Sequence, residues 1–340
     1  MVDRSTTDRR VVPVIGITMG DPAGIGPEIC IKALSDASIL KTCRPVVIGD
    51  RELLERTKKL LGSEIRFQNA DEDIVKAVTV VTPEDARPPF PIAIDAAKSG
   101  QASARYIEMA VELWRNSEID AIATAPISKK ALSLGGYPFP GHTEFLAHLT
   151  DTKKVVMSFF AGNLRVALLS THISLRDAIE KVTSENLTEL IIFTSHELQR
   201  LLRRRPKIAV AGLNPHASEG GLFGREEATA IIPAINECNS VHGIDVYGPF
   251  SPDTIFLRAF RGEFDAVVAL YHDQATVPVK SLSFGSAVNV TLGLPLIRTS
   301  VDHGTAFDIA GKGVADASSM IAAIRLAAEL VRNTKDETLG

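Results

Sequence analysis

Residues 264–313 read FDAVVALYHDQATVPVKSLSFGSAVNVTLGLPLIRTSVDHGTAFDIAGKG, and the reading of this stretch decides the fold. Residues 266–270 are a short run of small and branched apolar residues, the pattern of a fully buried strand in a parallel sheet. At its carboxyl end come Tyr271, His272, Asp273 and Gln274, a burst of hydrogen-bonding side chains. In open α/β sheets that edge is where ligands bind. Lys280, Asn289 and Arg298 follow among Gly- and Ser-containing loops, and then Asp302, His303, Gly304 and Thr305.

Composition bounds what the rest can be. The chain has 340 residues, 45% hydrophobic and 23% charged, which is ordinary for a soluble globular protein. That length suits two domains or one large α/β unit. A net charge of −4 implies no general affinity for nucleic acid or an anionic membrane. No apolar run reaches the ~18 residues of a membrane span, and residues 1–10 lead into no signal-type apolar core. Cys30, Cys43 and Cys238 are scattered and odd in number, which points to a reducing compartment and a cytoplasmic protein.

Upstream, residues 11–18 form a candidate strand that ends in Met19-Gly20-Asp21-Pro22-Ala23-Gly24-Ile25-Gly26-Pro27-Glu28. The glycines permit a tight turn, and Pro27 suits the first turn of a helix reaching about residue 37. Ile29 stands where G-x-G-x-x-G needs its third glycine, so a Rossmann fingerprint is not supported. The loop reads equally as a ligand contact or as a plain strand-to-helix turn. Residues 45–49, 75–81 and 120–125 read as strands. Residues 97–116 read as a helix with Ala104, Ile107, Ala110, Val111 and Trp114 on one face. This alternation predicts a parallel sheet.

Gly141-His142-Thr143-Glu144-Phe145 opens another helix. Thr143 either caps it or joins a backbone N–H and the His142 imidazole around a phosphate. Residues 155–160 and 164–170 suit a hairpin about Ala161-Gly162-Asn163. A helix over 185–203 ends in three arginines, a solvated terminus favourable to the helix dipole. A buried strand over 208–213 and a helix over 226–236, kinked or shortened at Pro233, complete this part.

His172, His216 and His272 each follow an apolar strand, 44 and 56 residues apart, too far for a zinc-finger spacing. Strand ends of one sheet lie close in space, so three histidines in one topological position suggest a divalent metal with an open coordination position. Lys280 and Arg298 are cations in apolar or small-residue surroundings, where unpaired charge is costly. Either a bound anion or pairing with Asp273 or Asp302 would account for them.

These motifs, with Gly212-Leu213-Asn214-Pro215-His216-Ala217 and Asn289-Val290-Thr291-Leu292-Gly293-Leu294-Pro295 before Ile297-Arg298-Thr299-Ser300-Val301-Asp302-His303-Gly304-Thr305, closely resemble the 4-hydroxythreonine-4-phosphate dehydrogenases of pyridoxine biosynthesis. The resemblance runs from about residue 15 to residue 331. It implies two α/β/α domains around a cleft, like isocitrate and isopropylmalate dehydrogenases and not Rossmann. Residues 1–130 with 290–340 would form the cofactor side, and 131–289 the substrate, metal and dimerisation side. By resemblance His172, His216 and His272 are metal ligands, for zinc, magnesium or cobalt, with one ligand supplied across a homodimer interface. His142, Thr143, Lys280, Asn289 and Arg298 match the positions that hold the phosphorylated substrate. His303, Gly304, Thr305 and Asp308 match an adenosine-binding loop for NAD.

The implied reaction is metal-dependent, NAD-linked oxidation and decarboxylation of 4-phosphohydroxy-L-threonine. Lys280 is the candidate for proton transfer, or else a phosphate or carboxylate contact. Relatives of this family oxidise 4-phospho-D-threonate or 4-phospho-D-erythronate instead, and the motifs do not separate an amino from a hydroxy group at C2. A metal-dependent hydrolase or lyase is the rival that needs no dinucleotide. Absence of Arg and Lys between residues 302 and 310 disfavours a 2′-phosphate and favours NAD over NADP.

Overall fold

The computed structural model describes residues 12–69, 71–72, 77–87, 89–283 and 285–335. Its strands are β1 (Val14–Thr18), β2 (Arg44–Ile48), β3 (Arg66–Gln68), β4 (Ala77–Val81), β5 (Ala121–Thr124) and β6 (Val156–Ala161). They continue as β7 (Leu164–Leu168), β8 (Ile208–Ala211), β9 (Val246–Phe250), β10 (Ala266–Ala269), β11 (Val288–Leu292) and β12 (Ile297–Ser300). All join in one sheet ordered β3-β4-β2-β1-β5-β12-β11-β6-β7-β10-β8-β9. Every residue of β5, β8 and β10 is buried, as continuous apolar runs require when both faces are covered.

Direction divides the sheet. From β3 to β12 all neighbours are parallel. β11 lies antiparallel to both β12 and β6, and β6 antiparallel to β7. β7, β10, β8 and β9 are then mutually parallel. Two antiparallel steps beyond β11 leave this last group running opposite to the first. The expected hairpin is the β6–β7 pair, closed by Ala161 to Leu164.

The chain returns late to its beginning. β12 inserts between β5 and β11, and the helix Ser318–Lys335 packs on β12, β5 and β1. That helix buries Ala323, Ile324, Ala327, Ala328 and Val331. The predicted helix over 97–116 is Ala97–Arg115, with Ala104, Ile107, Ala110 and Val111 buried. Pro233 falls in the first turn of the helix Ile232–Ser240, directly after a π-helical turn Glu227–Ile231. The missing proline N–H thus coincides with a change of helical pitch.

The main departure lies just after His272. The stretch around Lys280, read as loop, is a helix, His272–Ser283, with Pro278 inside it. Its buried face is Gln274, Ala275, Thr276, Val279 and Ser283. Small and polar residues give no apolar stripe, so helical periodicity does not show in the sequence. The short β3, β9 and the helices Arg51–Leu60 and Ile255–Phe260 were likewise not expected. The first residue of the expected strand 11–18 and part of 75–81 lie outside the described residues. No helix among the described residues is long and apolar enough to cross a membrane.

Candidate active site

Arg298 sits in the middle of β12 at 4% exposure. One terminal nitrogen donates to Thr291 Oγ1 at 3.0 Å and Asn289 Oδ1 at 3.3 Å, and the other to Thr124 Oγ1 at 2.9 Å. Its Nε is buried with no partner. Asn289 and Thr291 alternate along β11, so both face the same side, and Thr124 closes β5 next door. These are neutral groups. Among the described residues no carboxylate forms an ion pair with Arg298, so neither Asp273 nor Asp302 pairs with it. Burial lowers its pKa to about 10, against which the nearby Glu144 charge pulls upward.

His142 lies close enough to Arg298 to feel its charge. Burial, and then the Arg298 charge, push its imidazole well below the ordinary value, so it is neutral at pH 7. Its Nε2 is also buried and unpartnered. His142 opens the helix His142–Leu149, whose N-cap Gly141 offers no side-chain hydrogen bond. Thr143 is inside this helix and does not cap it. Its first-turn N–H groups are therefore free of a side-chain acceptor, at the positive end of the helix dipole. Thr143 and Glu144 line a cavity of about 350 Å³ that reaches Ser170, Thr171 and His172 and also includes Lys154 and Lys181.

The histidines lie at the carboxyl ends of β7, β8 and β10, which are adjacent. His172 and His272 are side by side, ring centroids 5.8 Å apart, and share the lining of a second cavity of about 290 Å³. His272 Nδ1 is 2.7 Å from Asp273 Oδ1, which leaves Nε2 as the outward donor atom. His216 lies nearer Phe223, ring centroids 6.4 Å apart. It begins a run of left-handed residues, His216, Ala217, Ser218 and Glu219, with φ of 55°, 52°, 64° and 46°. Such strain persists where surroundings hold it: the buried Glu227 accepts from the Leu213 and Asn214 N–H groups and the Asn214 amide. Among the described residues of one chain, no three His, Cys, Asp or Glu side chains are grouped to hold a metal.

Lys280 is exposed on the helix His272–Ser283. The costly-burial argument therefore holds for Arg298 and fails for Lys280. The desolvated pocket expected around this lysine is not supplied by the chain alone.

The 302–313 loop packs against the first glycine motif. Ile25 N donates to Thr305 O at 3.0 Å, Gly311 N to Glu28 Oε1 at 2.6 Å, and Asp302 Oδ1 accepts from Ser319 Oγ at 3.1 Å. His303 Nε2 is buried without a partner. Gly304 has open space on its Cβ side, and Asp308 is exposed. Lys312 Nζ donates to Asp308 O at 2.7 Å. Thr124, Thr291 and Glu144 are pocket residues that sequence reasoning missed. A threonine closing or alternating within an apolar strand was the available signal.

Fold and pocket together define a mixed α/β protein with a buried guanidinium whose partners leave its charge unmatched. The chain belongs to the family described as pyridoxal phosphate biosynthetic protein PdxA, whose model matches residues 41–327. It is 50% identical over 332 residues to a D-threonate 4-phosphate dehydrogenase of Cupriavidus necator, covering 94% of this chain and 97% of that one. It is 45% identical over 330 residues to a 4-hydroxythreonine-4-phosphate dehydrogenase of Geobacter metallireducens, covering 94% and 96%. Among solved structures, a 4-hydroxythreonine-4-phosphate dehydrogenase of Klebsiella pneumoniae matches with a TM-score of 0.85 at 41% identity, covering 94% of this chain and 99% of that one. A terephthalate 1,2-cis-dihydrodiol dehydrogenase of Burkholderia xenovorans matches with a TM-score of 0.64 at 28% identity, covering 94% and 98%.

Proposed function

We propose that the chain is a metal-dependent, NAD-linked oxidoreductase of a four-carbon 3-hydroxy acid phosphorylated at C4, with 4-phosphohydroxy-L-threonine as first substrate. The observation that carries this is the Arg298 pocket: a buried cation without an anion, beside unpartnered nitrogens of His142 and of Arg298 itself. Unpaired buried charge is costly, and a phosphate dianion supplies the missing acceptor oxygens. Thr143, Asn289 and the first turn of His142–Leu149 would orient it. Lys280 is the candidate proton-transfer group.

The pair His172 and His272, with Asp273 fixing the latter's ring, fits a divalent ion that takes imidazole, such as zinc or cobalt, better than magnesium, which takes oxygen ligands. When bound, such an ion polarises the substrate hydroxyl as a Lewis acid. A site with His216 included is read as shared across a homodimer. Exposed apolar side chains near these histidines support that reading: Ile173, Leu175 and Ile179 after β7, Leu222 at 71% and Phe223 after His216, and Val277 at 62% after His272. His303, Gly304, Thr305 and Asp308 would receive NAD, and the orphaned His303 Nε2 suits a hydrogen-bonding ligand. We assign residues 1–130 with 290–340 to the cofactor side and 131–289 to the substrate side, consistent with the insertion of β12 beside β5. Three buried free thiols suit a cytoplasmic protein.

A second reading, oxidation of D-threonate 4-phosphate, is favoured by the 50% identity to the Cupriavidus enzyme. Side-by-side kcat/KM values with NAD and NADP for 4-phosphohydroxy-L-threonine, 4-phospho-D-threonate and 4-phospho-D-erythronate decide between them. Turnover of none of the three would overturn the dehydrogenase reading for this chain.

A further inference from the structure

We infer that Glu28 and Lys32 are positioning residues for the 302–313 loop, setting its shape for the dinucleotide from one face of the helix Gly26–Ser35. The inference rests on the reading of that loop as the NAD loop. Glu28 is 2% exposed. Its Oε1 accepts the Gly311 N–H at 2.6 Å, while Oε2 is buried with no partner. A buried carboxylate so poorly satisfied is costly as a mere core residue. Its place in the first turn lets the helix dipole offset part of that cost.

Lys32 lies one turn later on the same face. Its Nζ donates to Gly313 O at 2.9 Å and Ala315 O at 2.6 Å. At the other end of the loop, Ile25 N donates to Thr305 O at 3.0 Å. A Cβ on Gly24 would stand 2.9 Å from that same oxygen, so only glycine allows the approach. Backbone groups at 305, 311, 313 and 315 are thereby fixed by a single helix and the turn before it. Gly311 and Gly313 hold φ of +78° and +70°, conformations that need outside support to persist as one shape. The glycine motif, open in the sequence between ligand contact and plain turn, acts as the brace of a ligand loop.

The test uses the full-length protein with Glu28→Ala, Glu28→Gln, Lys32→Met and, as a reference in the loop itself, Asp308→Ala. Three quantities are read: NAD dissociation constant by calorimetry, KM for NAD against KM for the phosphorylated substrate, and hydrogen exchange of the peptide containing Gly311. Glu28→Ala should weaken NAD roughly tenfold or more, the scale of one lost hydrogen bond to a charged group. Exchange at Gly311 should rise, with substrate KM and kcat at saturating NAD nearly unchanged. Glu28→Gln keeps an acceptor oxygen and should restore most of the loss, and Lys32→Met should repeat it more weakly. Equal damage to NAD and substrate parameters would make Glu28 a general stability residue and overturn the proposal. If Asp308→Ala weakens NAD and Glu28→Ala does not, the loop reading stands and the positioning role falls. If neither changes NAD binding, the loop reading falls and takes the positioning role with it.

Discussion

The two directional parts of the sheet set their candidate site residues in different surroundings, although Arg165 on β7 and Ser283 also keep a buried atom without a partner. In the half from β3 to β12, charged and polar groups are buried and incompletely satisfied: Arg298, Asp21, Glu28 and Thr18 each keep an atom with no partner. Around β7, β8 and β10, His172 and His216 stand exposed and His272 half-exposed on loops and a helix end, next to uncovered apolar side chains. The first arrangement is a buried cation on neutral hydroxyl and amide partners. The second is an exposed face that carries apolar side chains. Buried unsatisfied groups point to a small molecule, whereas exposed apolar side chains around functional residues point to another protein surface.

The largest expected effect tests the second half. His172→Ala or His272→Ala should remove bound metal and turnover while leaving the fold intact, since both rings are at the surface. Metal content per chain measured on the purified variants checks this, and full retention in both would break the assignment. Next comes the Arg298 site. Arg298→Ala should lower kcat/KM by about 30- to 1000-fold, equivalent to roughly 2–4 kcal/mol. A substrate without phosphate should be nearly indifferent to the change, and equal sensitivity of both would remove Arg298 from phosphate binding.

A smaller effect bears on the proposed homodimer. Leu222→Asp or Val277→Asp should weaken self-association by about 2 kcal/mol, roughly 30-fold, as seen by sedimentation, with an unchanged circular dichroism spectrum. Variants that keep the native mass at low concentration would count against the shared site.

The smallest effect is the pH response of His142. Its folded-state pKa is depressed by burial and Arg298, so the unfolded chain, near pKa 6.5, takes up a proton first. The contribution is absent above about pH 7 and turns destabilising as pH falls below about 6.5, by at most ~1.4 kcal/mol per pH unit. Denaturation midpoints at pH 7.5, 6.5 and 5.5 should fall more steeply for the parent chain than for His142→Gln. Identical slopes would mean that His142 does not govern the acid response.

Much of this was legible in the sequence, and the exceptions have physical causes. Fully buried strands announce themselves as apolar runs, so β1, β2, β5, β8 and β10 were found within a few residues. The hairpin was found because Gly162 and Asn163 mark its turn. The helix His272–Ser283 was lost because its buried face is Gln, Ala, Thr, Ser and a single Val rather than a stripe of Leu or Ile, and Pro278 argues against a helix. Arg298 was recognisable as a cation in an apolar run. Its partners Thr124 and Thr291 were not, because they are brought to it by strand order, which no local pattern encodes. Lys280 shows the opposite failure, where surrounding composition suggested burial and the helix turned the residue outward.

The late insertion of β12 also sets an order on the ribosome. β5 emerges with its edge unpaired, and the strand that covers it follows some 170 residues later in the chain. Until then Ala121–Thr124 is an open apolar edge of the kind that recruits foreign strands, which makes the first 130 residues a poor unit to express alone. The same arrival delivers Arg298 to Thr124, Asn289 and Thr291 in one event. A chain stopped before β12 would lack the guanidinium that we read as the phosphate contact, so ligand added during synthesis should protect molecules that contain β12 from proteolysis while leaving shorter ones untouched.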